Sequence, residues 1–259
     1  MRLRESIAVE LRSSGSVFAE GEADLLMSEA RDETELVAMV QRRVNGEPIQ
    51  VIVGWAEFCG IRIVVKPGVF VPRSRTEFLA QRAIALGHGI EHPVVADLCC
   101  GAGAIATAVT NSLDCGAVYA SDIHDRAVDC ARANLGDRGH ALHGDLYETL
   151  PPDIVGKVDL LAVNAPYVPT ESISLMPAEA RLHEVRVALD GGADGLDVQR
   201  RVAAGAATWL SADGWVLMET SKDQATESAK LFRGTGLEAT VETNEELDAT
   251  IVVASRVSH

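Results

Sequence analysis

The spacing of apolar positions changes twice along this chain, and the changes divide it. Over residues 5–12 and 18–31, Ala, Leu and Met recur every three or four positions, as on amphipathic helices. Asp32 followed by Glu35 resembles a capping box and opens a third helix, which carries Leu36, Val37, Met39, Val40 and Val44 and stops at Asn45-Gly46. From Pro48 the pattern becomes extended. Gln50-Val51-Ile52-Val53-Gly54 and Ile61-Arg62-Ile63-Val64-Val65 are rich in β-branched residues and predict a hairpin, with Trp55 to Gly60 between its strands. Further on, short apolar runs alternate with helical stretches. Strands are expected at Val94–Leu98, Val118–Asp122, before Asp145, at Val158–Val163 and at Gly214–Glu219. Helices are expected from Ala104, over Leu196–Leu210 and over Gln224–Arg233, the last closed by Gly234 and Gly236. Residues 238–242 and 250–254 predict a final antiparallel pair. Strands alternating with helices imply an α/β fold with a mostly parallel sheet. The expected organisation is a helical domain over 1–46, a β-hairpin linker over 47–80 and an α/β domain over 81–259.

Composition narrows the chemistry. Of 259 residues, 47% are hydrophobic and only 4% aromatic, so the core is built from Ala, Val, Leu and Ile. A net charge of -15 makes the chain a poor binder of phosphate backbones, and no stable nucleic-acid partner is expected. The N-terminus, Met1-Arg2-Leu3-Arg4-Glu5, is charged and has no apolar run behind it, and no stretch is long enough to span a bilayer. The five cysteines (Cys59, Cys99, Cys100, Cys115, Cys130) form no CxxC pair, which suggests reduced thiols and a cytoplasmic location. The seven histidines include no HExxH, and no metal is predicted.

The chemistry gathers at strand ends, where open parallel sheets bind ligands. Val94–Leu98 runs into Cys99-Cys100-Gly101-Ala102-Gly103, whose glycines let the backbone approach a ligand ahead of a helix N-terminus. The next strand ends in Asp122, about twenty residues on, where a carboxylate can accept ribose hydroxyls; Ile123 follows it. Gly101 to Ala106 also fits the dinucleotide fingerprint GxGxxA. Three features favour S-adenosylmethionine over NAD. Asp97 precedes the loop, placed for the methionine ammonium. Asp145 and Leu146 end the third strand with an acceptor and an apolar contact for adenine. The fourth strand ends in Asn164-Ala165-Pro166-Tyr167, which provides an amide acceptor, a backbone carbonyl and a flat phenol suited to a planar NH2 group. Asn, Pro and Tyr are also ordinary turn residues, so only the ordered series is specific.

Together these segments resemble the HemK/PrmC-type protein-(glutamine-N(5)) methyltransferases, in a divergent branch similar to actinobacterial glutamine methyltransferases. Family marks include Gly46-Glu47-Pro48-Ile49-Gln50, Pro72-Arg73 with Thr76-Glu77, and Ala188 to Leu196. The resemblance implies the class I S-adenosylmethionine-dependent methyltransferase fold, Rossmann-like with a seven-stranded sheet. It also implies a protein substrate, the Gly-Gly-Gln glutamine of a peptide-chain release factor. Asn164 and Tyr167 would be catalytic, and Asn164, Ala165, Pro166 and Tyr167 would hold the substrate. Phe70, Thr76, Asp97, Cys99, Cys100, Gly101, Ala102, Gly103, Asp122, Ile123, Asp145, Leu146 and Asn164 would hold the cofactor. Three positions depart from the family pattern: Ala165 replaces the first proline of NPPY, Cys99 the first glycine of GxGxG, and Arg75 an acidic residue of PRPETE.

The resemblance further implies that Asn164 Oδ1 and the Ala165 carbonyl accept the amide hydrogens while Tyr167 stacks on the amide. Thr76 is expected to cap its helix and Phe70 to cover the cofactor; Arg181 to Arg186 is expected to be a solvated charged loop, in which His183 and Glu184 could also touch the substrate. Three rival readings use the same strand-end features: an adenine-N(6) nucleic-acid methyltransferase, a small-molecule N-methyltransferase and a non-catalytic cofactor-binding protein.

Overall fold

The computed structural model describes residues 2–176 and 184–256. Three helices, α1 (Arg2–Ser13), α2 (Ala19–Glu29) and α3 (Glu33–Val44), open the chain. They bury Leu11, Ala23, Leu26 and Met39 in a small core of their own. Asp32 caps α3 by accepting from the Glu35 N–H at 2.8 Å. The capping box is half realised, because the Glu35 carboxylate turns to Arg31 instead.

The segment after Pro48 corrects the expected hairpin. Ile49–Val53 is a short helix, α4, ended by Gly54 in the left-handed conformation. Ile52 is buried in the helical core, Ile49 and Val53 pack against that core, and Val51 is buried with Ala56, Val65 and Val71, so burial outweighs strand propensity here. The strands are β1 (Trp55–Phe58) and β2 (Ile61–Val64). Cys59 (φ 49°) and Gly60 (φ 72°) form the turn, and both positive values match the twist a two-residue hairpin needs. The hairpin is held from the other side by a side chain. Asn134 accepts the Val64 N–H at 2.8 Å and donates to the Val64 carbonyl at 3.0 Å. It also donates to the Ala102 carbonyl at 2.8 Å.

The remaining elements build one sheet: α5 (Thr76–Gly87), β3 (Val94–Leu98), α6 (Ala104–Ser112), β4 (Ala117–Asp122), α7 (Asp125–Leu135), β5 (His140–His143), β6 (Val158–Val163), α8 (Asp197–Trp209), β7 (Leu210–Glu219), α9 (Ala225–Arg233), β8 (Leu237–Asn244) and β9 (Ala249–Arg256). Its order is β5-β4-β3-β6-β7-β9-β8. The first five strands run parallel, and β9 is antiparallel to both its neighbours. Alternate residues face opposite sides. On β6, Leu160 and Ala162 join the core under α5, α6 and α7, whereas Leu161 and Val163 join the core under α8 and α9. A strand buried on both faces reads as a continuous apolar run, which is how Val158–Val163 appears in the sequence. Connections from β3 and β6 leave in opposite directions across the sheet, and a crevice opens at their carboxyl ends. No helix among the described residues is long and apolar enough to cross a membrane.

Candidate active site

One cavity of about 730 Å³ occupies that crevice. Its walls come from the segment before α5, from the ends of β3 to β6, and from residues 184–189. Of the residues singled out from the sequence, Phe70, Thr76, Cys99, Cys100, Gly101, Ala102, Asp122, Ile123, Asp145, Leu146, Asn164, Ala165, Pro166 and Tyr167 line it. Glu184 also lines it, while His183 falls outside the described residues.

Two selected residues do not reach the cavity. Gly103 (φ 72°) caps the start of α6, and a Cβ there would stand 2.9 Å from the Ala131 Cβ. Its smallness lets α6 approach α7, which is a packing role. Asp97 is fully buried beneath the loop. One of its oxygens accepts from the Ala106 N–H at 3.1 Å, and the other has no hydrogen-bond partner. Burial pushes its carboxyl up to about 7; the Ala106 bond opposes this and the charge on Asp122 adds to it.

The loop between β3 and α6 carries its strain in sight of the cavity. Cys99 adopts φ 57°, so a side chain occupies a left-handed position that favours glycine. Gly101 is also left-handed, and a Cβ there would meet no atom within 4 Å. The backbone at Gly101 is therefore open to a ligand. Asp122 organises the turn: its two oxygens accept the Gly101 and His124 N–H groups, each at 2.9 Å. Each oxygen keeps acceptor capacity for a further donor. Asp145 is paired with Arg201 at 2.7 Å through one oxygen, leaving the other for a ligand amine. Burial raises the pKa of Cys99 and Cys100, so both thiols stay protonated.

The turn after β6 is fixed from three sides. Asn164 Nδ2 donates to Thr76 Oγ1 at 3.2 Å. Thr76 is the first residue of α5 rather than its cap, and its hydroxyl is committed to the site. Tyr167 donates from its hydroxyl to Glu219 Oε1 at 3.3 Å, and burial with the Glu219 charge pushes the phenol up to about 12. Gln224 Nε2 donates to the Tyr167 carbonyl at 3.0 Å and to the Asp194 carbonyl at 2.9 Å. The glycines of the Ala188–Leu196 stretch fit against this turn. A Cβ on Gly195 would lie 2.3 Å from the Tyr167 carbonyl oxygen, and one on Gly191 would lie 2.8 Å from that of Pro166. Arg73 pairs with Glu184 across the mouth, and Arg75 approaches Glu219 at 3.5 Å.

Sequence reasoning missed Glu219, Gln224, Arg201 and the Leu247–Asp248 tip of the last hairpin, which also lines the cavity. Glu219 ends β7 as Asp122 ends β4, so the strand-end acid was a usable signal. Nothing in the sequence marked the others.

Comparison with known proteins agrees with this arrangement. Residues 60–202 match the methyltransferase small domain family. A release factor glutamine methyltransferase from Geobacter sulfurreducens is 35% identical over 201 residues, 76% of this chain and 69% of that protein. A 4-amino-L-phenylalanine/4-methylamino-L-phenylalanine methyltransferase from Streptomyces pristinaespiralis is 34% identical over 203 residues, again 76% of this chain and 69% of that protein. Among solved structures, the ribosomal protein L11 methylase from Lactobacillus delbrueckii subsp. bulgaricus matches with a TM-score of 0.52 at 18% identity, covering 76% of this chain and 86% of that one, and shares the fold. By sequence identity over most of its length and by the family of its central domain, this chain belongs to the release factor glutamine methyltransferases.

Proposed function

We propose that this protein transfers a methyl group from S-adenosylmethionine to the side-chain nitrogen of a protein glutamine, the Gly-Gly-Gln glutamine of a peptide-chain release factor. The observation that carries the reading is the state of Asn164. Its NH2 end is tied to Thr76, which leaves its oxygen for the cavity beside the Ala165 carbonyl and the Tyr167 ring. Relatives named for glutamine methylation of release factors supply the substrate.

The residues present suit the cofactor. The open backbone at Gly101, the remaining acceptor capacity on Asp122 and the free oxygen of Asp145 provide a path for a nucleoside along the ends of β3, β4 and β5. Leu146, Ile123 and Phe70 add apolar walls. The bound cofactor would supply an electrophilic methyl on a sulfonium sulfur.

The chain's own contribution is positioning. An amide nitrogen is a weak nucleophile because its lone pair is delocalised into the carbonyl. Asn164 Oδ1 and the Ala165 carbonyl would each accept one of its hydrogens, which favours a pyramidal nitrogen with the lone pair turned toward the methyl. Tyr167 would lie against the amide plane. Its phenol is protonated at neutral pH and bonded to Glu219, so it acts as a platform and not as a base. Acceleration then comes from orientation and fixed dipoles. The proton leaves for solvent after transfer.

The test is methyl transfer from labelled S-adenosylmethionine to release factors of the same source, with the modified residue mapped by mass spectrometry. Label on the Gly-Gly-Gln glutamine supports the reading. Cofactor binding without label on any release factor refutes it. A second reading, methylation of a small aromatic amine, rests on the relative named for 4-amino-L-phenylalanine, because an aryl NH2 is also planar and would meet the same acceptors. That amino acid belongs in the same assay.

A further inference from the structure

We propose that Arg201 sets the base specificity of the cofactor site, by holding Asp145 so that its carboxylate selects a nucleoside carrying an amine over one carrying a carbonyl. The inference rests on the S-adenosylmethionine site described above.

Asp145 lies just past the end of β5, half-buried in the cavity wall. Its Oδ2 accepts from Arg201 Nη2 at 2.7 Å, and no described residue donates to Oδ1. Arg201 stands on α8 and also lines the cavity, and among the described residues Asp145 is its one side-chain hydrogen-bond partner. Both ends of the pair are held in place. Next to Asp145, Leu146 has a left-handed backbone (φ 49°), and its carbonyl accepts from the Ser121 hydroxyl at 3.2 Å. The Leu146 side chain is buried in the same core as Val202 and Ala203 of α8. Tyr147 donates from its hydroxyl to the Val202 carbonyl at 2.7 Å. Turn and helix are therefore locked together, and Arg201 reaches Asp145 from a rigid base.

The side chain of Arg201 is 53% exposed and that of Asp145 33%, so the pair contributes little to folding. Its effect belongs to the bound state. A base resting on Leu146 displaces water from the carboxylate, and a desolvated carboxylate needs a donor for each oxygen. Arg201 serves Oδ2, and the exocyclic amine of adenine serves Oδ1. Hypoxanthine has a carbonyl where adenine has that amine, and its N–H lies on the neighbouring ring atom. A carbonyl facing Oδ1 sets two acceptors against each other. The carboxylate would have to swing toward the ring N–H, and its bond to Arg201 opposes that movement. Without Arg201 it is free to follow either base. Arg201 acts through Asp145 and is a positioning residue.

The test is calorimetric binding of S-adenosylhomocysteine and S-inosylhomocysteine, which differ only in the base, so no methyl acceptor is needed. Wild type should prefer the adenine compound by about a hundredfold, the scale of one hydrogen bond to a charged group. Arg201→Ala should cut the preference to about tenfold or less, and Arg201→Met, which keeps the apolar stem, should behave alike. Arg201→Lys should restore most of it, because an ammonium can donate to the same Oδ2. Asp145→Ala should remove the preference, and adding Arg201→Ala should then change the ratio by less than about twofold, because the two share one path. The proposal is overturned if Arg201→Ala and Arg201→Met weaken both compounds in proportion, which would make the guanidinium a general contact. It is also overturned if their effect on the ratio persists in Asp145→Ala. A wild type that binds the adenine compound without preference overturns the proposal alone; one that binds neither compound overturns the cofactor assignment with it.

Discussion

Asp97 permits a quantitative test of the interior beneath the site. Its carboxyl is fully buried, with one oxygen bonded to the Ala106 N–H and the other without a partner. In the folded chain it holds its proton up to about 7, whereas the unfolded chain releases it near the ordinary 3.8. Between those values the folded state binds more protons, so stability falls as pH rises through the window and levels off above it. Asp97→Asn removes the titration and keeps an oxygen for Ala106. Its buried NH2 adds a cost that does not vary with pH. The stability difference between variant and wild type should therefore shift in favour of the variant by about 3 kcal/mol between about pH 5 and pH 8, from roughly two pH units of titration at about 1.4 kcal/mol each. The assay is urea unfolding of both proteins without cofactor, followed by tryptophan fluorescence, across that range. A difference that stays constant with pH would refute the reasoning, because it would mean that Asp97 titrates in the fold as it does in the unfolded chain.

The other predictions concern the turn and the thiols. Asn164→Ala should abolish methyl transfer while the affinity for S-adenosylhomocysteine stays within a few-fold, measured by calorimetry; a proportional loss of binding would make the residue structural. Gly195→Ala combines a left-handed backbone (φ 78°) with a 2.3 Å approach to the Tyr167 carbonyl. It should destabilise the protein by about 2–4 kcal/mol in urea melts, and wild-type stability would show that the loop does not buttress the turn. Burial raises every cysteine pKa, Cys59 to about 12, so at pH 8 iodoacetamide should label the native protein at least about tenfold more slowly than the urea-unfolded chain. Rapid native labelling of Cys99 would contradict its protonated state.

The strands of the sheet were readable because each is a short apolar run ending in a polar residue, and burial on both faces leaves little room for another pattern. Most of the cavity lining was readable for the same reason: Asp122, Asp145 and Asn164 stand where apolar runs stop. Residues 49–53 misled because β-branched residues serve a buried face in a helix as well as in a strand, and the deciding neighbours, Leu26 and Met39, lie far off in sequence. Gly103 looked like part of a ligand loop because closeness to a cofactor and closeness to Ala131 select the same residue. Thr76 looked like a cap because the sequence does not reveal that Asn164, 88 residues on, donates to its hydroxyl. Leu247 and Asp248 reach the cavity only because the last strand folds back antiparallel and returns its tip to the carboxyl ends of the others.

Asn134 bears on how the chain emerges during synthesis. It clasps both backbone groups of Val64 and also the Ala102 carbonyl, tying the hairpin to the loop beside the cavity. Val64 leaves the ribosome 70 residues before Asn134 does. At about 5–20 residues per second, the hairpin waits roughly 4–14 seconds for its clasp. Over that interval the nascent N-terminal segment depends on the small core of α1 to α4, which is complete before the hairpin is made. A change that weakened that core would act on the growing chain, lowering the yield of folded enzyme while leaving the activity of each finished molecule intact.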